Sequence, residues 1–230
     1  MFKKDIPKYT TKNFEISEGS TKLKGNFLIP DKVKIIGHAA FQDCKRITKV
    51  CIPMSVTEIH GYAFQNCIKL EQVNFSNKLE IIEPYAFYNC TKLDNVIIPS
   101  TVTELGGFCF EKCRSLVYIV LSDNINSIED ECFSDCISLK EIYLPDSVST
   151  IYRAAFRGCK SLKEVSVAND DIYIDKNAFS GCSPTFFCRS KINEGSKLYT
   201  FCIRNGFKLS SQDLSEKKKG IAFSSDNNLI

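Results

Sequence analysis

Apolar residues in this chain fall into columns spaced 23 residues apart. Phenylalanine occupies positions 41, 64, 87, 110, 133, 156 and 179, with cysteine three residues behind each, at 44, 67, 90, 113, 136, 159 and 182. A small residue precedes every phenylalanine: Ala40, Ala63, Ala86, Cys109, Cys132, Ala155 and Ala178. Further apolar columns lie three, six and eight residues after the cysteine, as in Leu70, Val73 and Phe75, then Leu93, Val96 and Ile98. The last two columns alternate with polar positions, which predicts a short strand buried on one face. Proline often closes that strand (Pro30, Pro53, Pro99, Pro145), where its missing N–H ends a ladder at little cost. The return half of each unit carries two more columns, including Val56, Leu79 and Val102, and Ile59, Ile82 and Leu105. The phrase around Ala-Phe-x-x-Cys predicts a single helical or 3₁₀ turn. A fixed period over most of a chain means stacked units sharing one continuous core, with caps to keep its ends dry.

The phrase "LEQVNFSNKLEIIEPYAFYNCTKL" (residues 70–93) resembles the BspA-like (Treponema-type) class of leucine-rich repeats, and the resemblance spans about residues 24–190. It implies an α/β fold: a single leucine-rich-repeat solenoid of 23-residue repeats with a parallel concave β-sheet, short helical or 3-10 turns and a C-terminal cap. The boundaries are then 1–23 for an N-terminal segment, 24–182 for the repeats, 183–210 for the cap and 211–230 for a flexible polar tail. The pattern departs at Thr185 and Cys188, where the cap begins. A strand at Thr185–Cys188, a helix over Ser196–Arg204 stopped by Asn205-Gly206 and a closing strand are expected there. How residues 1–23 cover the other end is not readable from the columns.

Composition narrows the function classes. With 30 basic and 27 acidic side chains the net charge is only +3, so no broad electropositive face for nucleic acid is expected. The opening "MFKKDIPKYTTKNFEIS" has no apolar signal core, and no run approaches a membrane span. The expectation is a cytoplasmic protein with access to the nucleus, its twelve cysteines reduced. No Gly-rich phosphate loop, cofactor motif or nucleophile–base pair is present, which points to a non-enzyme.

The thiol column admits chemical readings that geometry disfavours. Stacked rungs would lie roughly 5 Å apart, but parallel side chains have the wrong orientation for disulfides. A line of thiols does not converge on a metal, and only His38 and His60 could serve as a base. Free cysteine as a small core residue explains the column. Cys109, Cys113, Cys132 and Cys136 form a denser group, for which packing and a structural zinc both stand as readings.

Binding residues are sought where the repeat leaves apolar side chains unexplained. Between the buried strand columns, Ile97, Tyr118, Val120 and Tyr143, with Val117 beside them, form a candidate protein-binding patch on the concave sheet. Ordinary β-propensity of exposed strand residues explains them as well. Lys49, Glu141 and Glu164 would make a polar rim. The second candidate is "KGIAF" in the tail, which resembles the RVxF-type docking motif of type-1 serine/threonine protein phosphatase regulators. The resemblance implies Lys219 as the basic element, Ile221 and Phe223 as pocket anchors, and the phosphatase catalytic subunit as partner. An extended peptide of that kind adds to a sheet edge and sends alternate side chains into pockets. "QVNF" at residues 72–75 fits the same pattern, but Val73 and Phe75 belong to core columns. Two functions follow: a protein-interaction scaffold that recruits the phosphatase, or, since many BspA-like proteins act in attachment, a cell-surface adhesion protein.

Overall fold

The computed structural model describes residues 8–10, 15–18 and 21–211. The chain winds as a parallel-strand solenoid in which each turn contributes two strands. The longer ones, Gly25–Leu28, Ile47–Cys51, Gln72–Asn74, Asn95–Ile97, Tyr118–Val120, Glu141–Tyr143 and Glu164–Val167, stack into a first sheet. Two-residue strands form a second: Ile35–Ile36, Glu58–Ile59, Ile81–Ile82, Glu104–Leu105, Ser127–Ile128, Thr150–Ile151 and Tyr173–Ile174. Partners in both sheets are offset by one repeat, as in Asn95 against Tyr118 and Glu58 against Ile81. The ladders are not continuous: the first sheet is interrupted between residues 74 and 95 and between 120 and 143, the second between 105 and 127.

The Ala-Phe-x-x-Cys phrase makes the third side. Its i→i+3 bonds, such as Gln42 N–H to Ala39 and Cys44 N–H to Phe41, are those of the expected 3₁₀-like turn. A left-handed residue stands two places on either side of the phenylalanine, however, so the turn never propagates: Tyr62 has φ 60° and Asn66 φ 59°. These conformations aim three N–H groups per turn along the solenoid axis. Tyr62, Phe64 and Asn66 donate to carbonyls of Pro84, Ala86 and Tyr88 in the next coil, at 3.3, 2.7 and 2.9 Å. Asp43, Asn66, Asn89, Asp135, Gly158 and Gly181 occupy the second left-handed site, residue types that tolerate it, with Lys112 (φ 62°) the exception. Asn89 and Asn66 also bond side chain to side chain at 2.9 Å. The first site is less forgiving, and there Tyr62, Tyr85 and Phe108 stack parallel at 4.7 and 4.5 Å.

Inside, the phenylalanines stack one per coil with rings within 14° of parallel. The cysteines lie behind them, and each thiol donates to the carbonyl of the phenylalanine one coil back: Cys67 to Phe41, Cys90 to Phe64 and Cys113 to Phe87, at 3.2, 3.2 and 3.3 Å. That carbonyl also accepts the N–H of its own coil's cysteine, so both lone pairs are used. Cysteine therefore fills the space of a small apolar residue and supplies a donor that alanine or valine lacks.

The ends close differently. At the N-terminal end, Glu15–Glu18 pairs in parallel with Ile35–Ile36, and Lys8–Thr10 pairs antiparallel with Glu15–Glu18, extending the second sheet. At the other end Thr185–Cys188 pairs with Glu164–Val167, Glu164 facing Thr185, so this unit is two residues short of the repeat. Helix Lys197–Asn205 then buries Leu198, Phe201 and Cys202 over the last coil. Ser196 caps its start through the Tyr199 N–H, and Gly206 ends it at φ 71°. Strand Lys208–Ser211 completes the first sheet. The loop into this cap is tied by Asp170, whose carboxylate accepts from the Asn193 backbone N–H at 2.7 Å and its side-chain amide at 3.0 Å.

Replacing Phe110 by alanine is expected to cost about 3–5 kcal/mol, and Cys113 by alanine about 1–2 kcal/mol, in urea denaturation. The Asn193 N–H holds the Asp170 carboxyl below its ordinary value. Its stabilisation is therefore complete above the unfolded-state value of about 3.9 and is lost as pH falls through the lower folded value. Asp170→Asn should be less stable near neutrality and lose that part of the acid dependence, as measured by denaturation across pH.

Candidate protein-binding face

Alternation along the first-sheet strands buries Val96, Ile119 and Ile142 and turns their neighbours outward. The outward column runs Leu28, Cys51 and Asn74, then Ile97 and Val120, then Tyr143, Ser166 and Phe187, as the strand register dictates. Ile97 is 53% exposed and lies against the half-buried Val120. Tyr118 sits in the adjacent outward column, between Asn95 and Glu141 positions; partial burial and then the Glu141 charge push its phenol pKa up. Val117 precedes the strand, half-buried, and donates its N–H to Asp94 at 2.8 Å. Ile97, Val117, Tyr118 and Val120 thus lie together on the paired strands 95–97 and 118–120, and Tyr143 follows on the next strand, across the interruption of the ladder.

Two further residues on this column join the sequence-derived ones. Arg189, just past the cap strand, lays its guanidinium over the Tyr143 ring at 4.1 Å. The same group donates to the Leu144 carbonyl at 2.9 Å and pairs with Asp146 at 2.7 Å. It spans two coils and holds the tyrosine from one side. By count it stands two periods after Tyr143, at 143, 166 and 189, although the shortened last unit seats Phe187 rather than Arg189 opposite Ser166. Leu28, 72% exposed at the far end of the outward column, was legible, because Phe27 and Ile29 on either side fall on repeat positions.

Most of the thiols are buried and held neutral, whereas a hydrogen bond from Cys159 lowers the pKa of the half-buried Cys182. All twelve are free, and burial pushes Cys44 up to about 12 and Cys109, Cys113, Cys132 and Cys136 well above the ordinary thiol value. Neutral thiols are poor nucleophiles and ligands. Among the described residues no three His, Cys, Asp or Glu side chains converge as a metal requires. Lys219, Ile221 and Phe223 lie outside the described residues. No helix among the described residues is long and apolar enough to cross a membrane.

The model of the BspA type leucine-rich repeat region (6 copies) matches residues 18–140 and 103–222. The chain belongs to this family. Its fold is similar to that of the Treponema pallidum leucine-rich repeat protein TpLRR, with a TM-score of 0.66 at 23% identity over 88% of this chain and 94% of that one. It is also similar to the pneumococcal vaccine antigen PcpA, with a TM-score of 0.57 at 18% identity over 89% of this chain. This chain spans less than half of the PcpA structure, 45%. A leucine-rich repeat protein from Eubacterium ventriosum gives 0.56 at 17% identity over 75% of this chain and 62% of its own. No curated protein sequence matches.

In the native protein a maleimide probe should label Cys51, half-buried on the outward column, and Cys182 at the C-terminal end of the ladder. The buried thiols should react only after unfolding. Peptide mass mapping before and after denaturant checks this; rapid native labelling of Cys90 or Cys113 would contradict the packing.

Proposed function

We propose that this chain is a non-enzymatic scaffold that holds a protein partner on its first sheet. The observation that carries the reading is the run Ile97, Val120 and Tyr143, flanked by Tyr118, on a face whose buried side already has its core. Aromatic and aliphatic anchors within a polar surround form the kind of patch on which binding energy concentrates. Tyr143 is held by Arg189, which lowers the entropy lost when a partner covers it. Membership of a leucine-rich-repeat family agrees with a protein-interaction role.

The finer part of the proposal concerns the tail. Lys219, Ile221 and Phe223 would recruit the type-1 phosphatase catalytic subunit, so that the repeats choose the target and the tail brings the enzyme, within the cytoplasm or nucleus. The motif itself is the support for this part.

Two measurements separate the claims. Pull-downs with the intact chain and a Tyr118→Ala/Val120→Glu variant should lose first-sheet partners by at least about tenfold, the scale of a binding hot spot; unchanged recovery of every partner removes the patch. Purified phosphatase catalytic subunit should bind the intact chain and not an Ile221→Ala/Phe223→Ala variant, and equal binding, or none, removes the docking role. Labelling of intact cells that finds the chain on the surface would favour adhesion instead.

A further inference from the structure

The spacing between coils is not uniform, and it follows the residue that precedes each phenylalanine. Where alanine meets alanine, ring centroids are 5.0, 5.1 and 5.0 Å apart (Phe41–Phe64, Phe64–Phe87, Phe156–Phe179). Where alanine meets cysteine the spacing is 5.4 Å on both sides (Phe87–Phe110, Phe133–Phe156). Where Cys109 meets Cys132 it is 5.8 Å, for Phe110–Phe133. Both thiols are fully buried in a column that elsewhere holds only a methyl group. Close-packed interiors transmit one extra large atom as displacement.

The ladders fail at this same junction. Thr57, Glu80, Thr103 and Ser149 each donate an N–H to the preceding coil, and so do His60, Glu83, Gly106 and Tyr152 three residues later in their turns. The equivalent amides of Asn126 and Glu129 do not reach across, and Glu104–Leu105 and Ser127–Ile128 fall in separate sheets. On the third side the coils stay joined, Phe108 N–H to Asp130 at 2.8 Å and Phe110 N–H to Cys132 at 2.9 Å. Ser122 and Asn124 still bridge to the Val102 and Ser100 carbonyls, both at 2.6 Å, so the junction opens locally, at residues 126–129 of the second-sheet side. A cleft of about 370 Å³ lies there, lined by Glu83, Thr103, Glu104, Asn126, Ser127 and Glu129 above a floor that includes Leu105 and Ile125. Gly106 lets the chain press against the preceding coil at its edge, since a Cβ there would sit 2.3 Å from the Pro84 nitrogen.

From this we infer that the cleft is a second binding site, separate from the first-sheet column, for an extended segment of a protein partner bearing lysine or arginine. Three glutamates and no lysine, arginine or histidine line it, in a chain whose net charge is +3. Glu83 is fixed by the Gly61 N–H at 2.7 Å, and Glu129 by the Ser127 hydroxyl at 2.6 Å, so two of the three carboxylates are positioned before a ligand arrives. The backbone edges left by the broken rungs pair with a peptide main chain, as in strand addition. Cys109 and Cys132 act as positioning residues: they prop the coils apart and touch no ligand.

A short fluorescein-labelled peptide of alternating valine and lysine tests the site by anisotropy, with hydrogen exchange read at Asn126 and Glu129. The lysine peptide should bind saturably, protect those two amides, and weaken about tenfold with Glu104→Gln/Glu129→Gln. The same peptide with glutamate for lysine should not bind. Cys109→Ala/Cys132→Ala, which installs the residue other coils carry, should slow exchange of the Asn126 and Glu129 amides in the free protein and abolish peptide binding. Equal binding of both peptides, binding without protection, or amides in the free wild-type chain as protected as those of Thr103 and Ser149 would overturn the inference. So would unchanged binding in the double alanine variant.

Discussion

Each coil is held by bonds that point along the solenoid axis, and no coil can satisfy them alone. The three N–H groups of the Ala-Phe-x-x-Cys turn, the thiol and both strands all find their acceptors one coil away. Buried backbone groups must be paired, so a single turn is stable only between neighbours, and both ends need caps. This constraint accounts for the left-handed residues, which cost local conformational energy at Tyr62, Tyr85 and Phe108 but orient those donors. It also accounts for cysteine, which is small enough for the core and still a donor.

Once the axis is closed by the interior, the surface is left to vary. The outward column of the first sheet changes from Cys51 to Asn74, from Ile97 to Val120 and from Tyr143 to Ser166 with the same one-repeat strand register. A repeat array in this way separates fold from specificity: buried columns must match every coil, whereas outward ones can differ at each. Arg189 shows the two joined at the cap, where one shortened unit places a cation on an aromatic ring two coils back.

Most of the interior was legible because its period is strict. The phenylalanine and cysteine columns, the cap strand Thr185–Cys188 and a helix between Ser196 and Gly206 stand where the sequence puts them, the helix spanning Lys197–Asn205. The thiol-to-carbonyl bonds were not legible, since column statistics report size and polarity but not direction. The extension of the second sheet by Lys8–Thr10 and Glu15–Glu18 was hidden for another reason: those residues carry no repeat columns. Ile97, Tyr118 and Val120 could be found by subtraction, as apolar residues the core does not use. Arg189 also stood on that column, two periods after Tyr143, but as a charged residue it was not among those that subtraction selects. The cleft was equally hidden, although Cys109 and Cys132 were visible as exceptions in the alanine column; the meaning of such an exception lies in a spacing, which a sequence does not contain.

That junction also bears on how the molecule comes apart. In a one-dimensional array the coupling between neighbours decides whether the whole length melts as one unit or as blocks. The interface between the coils of Phe110 and Phe133 has no strand pairing in either sheet, only the Lys140 N–H on the Val117 carbonyl at 3.4 Å, while those on either side keep strand pairing in at least one. Coupling along the solenoid is therefore weakest at this junction, which relies on the aromatic stack, the backbone bonds of the third side, and the Ser122 and Asn124 side chains on the Val102 and Ser100 carbonyls. Its mechanical weak point and its acidic cleft are the same place.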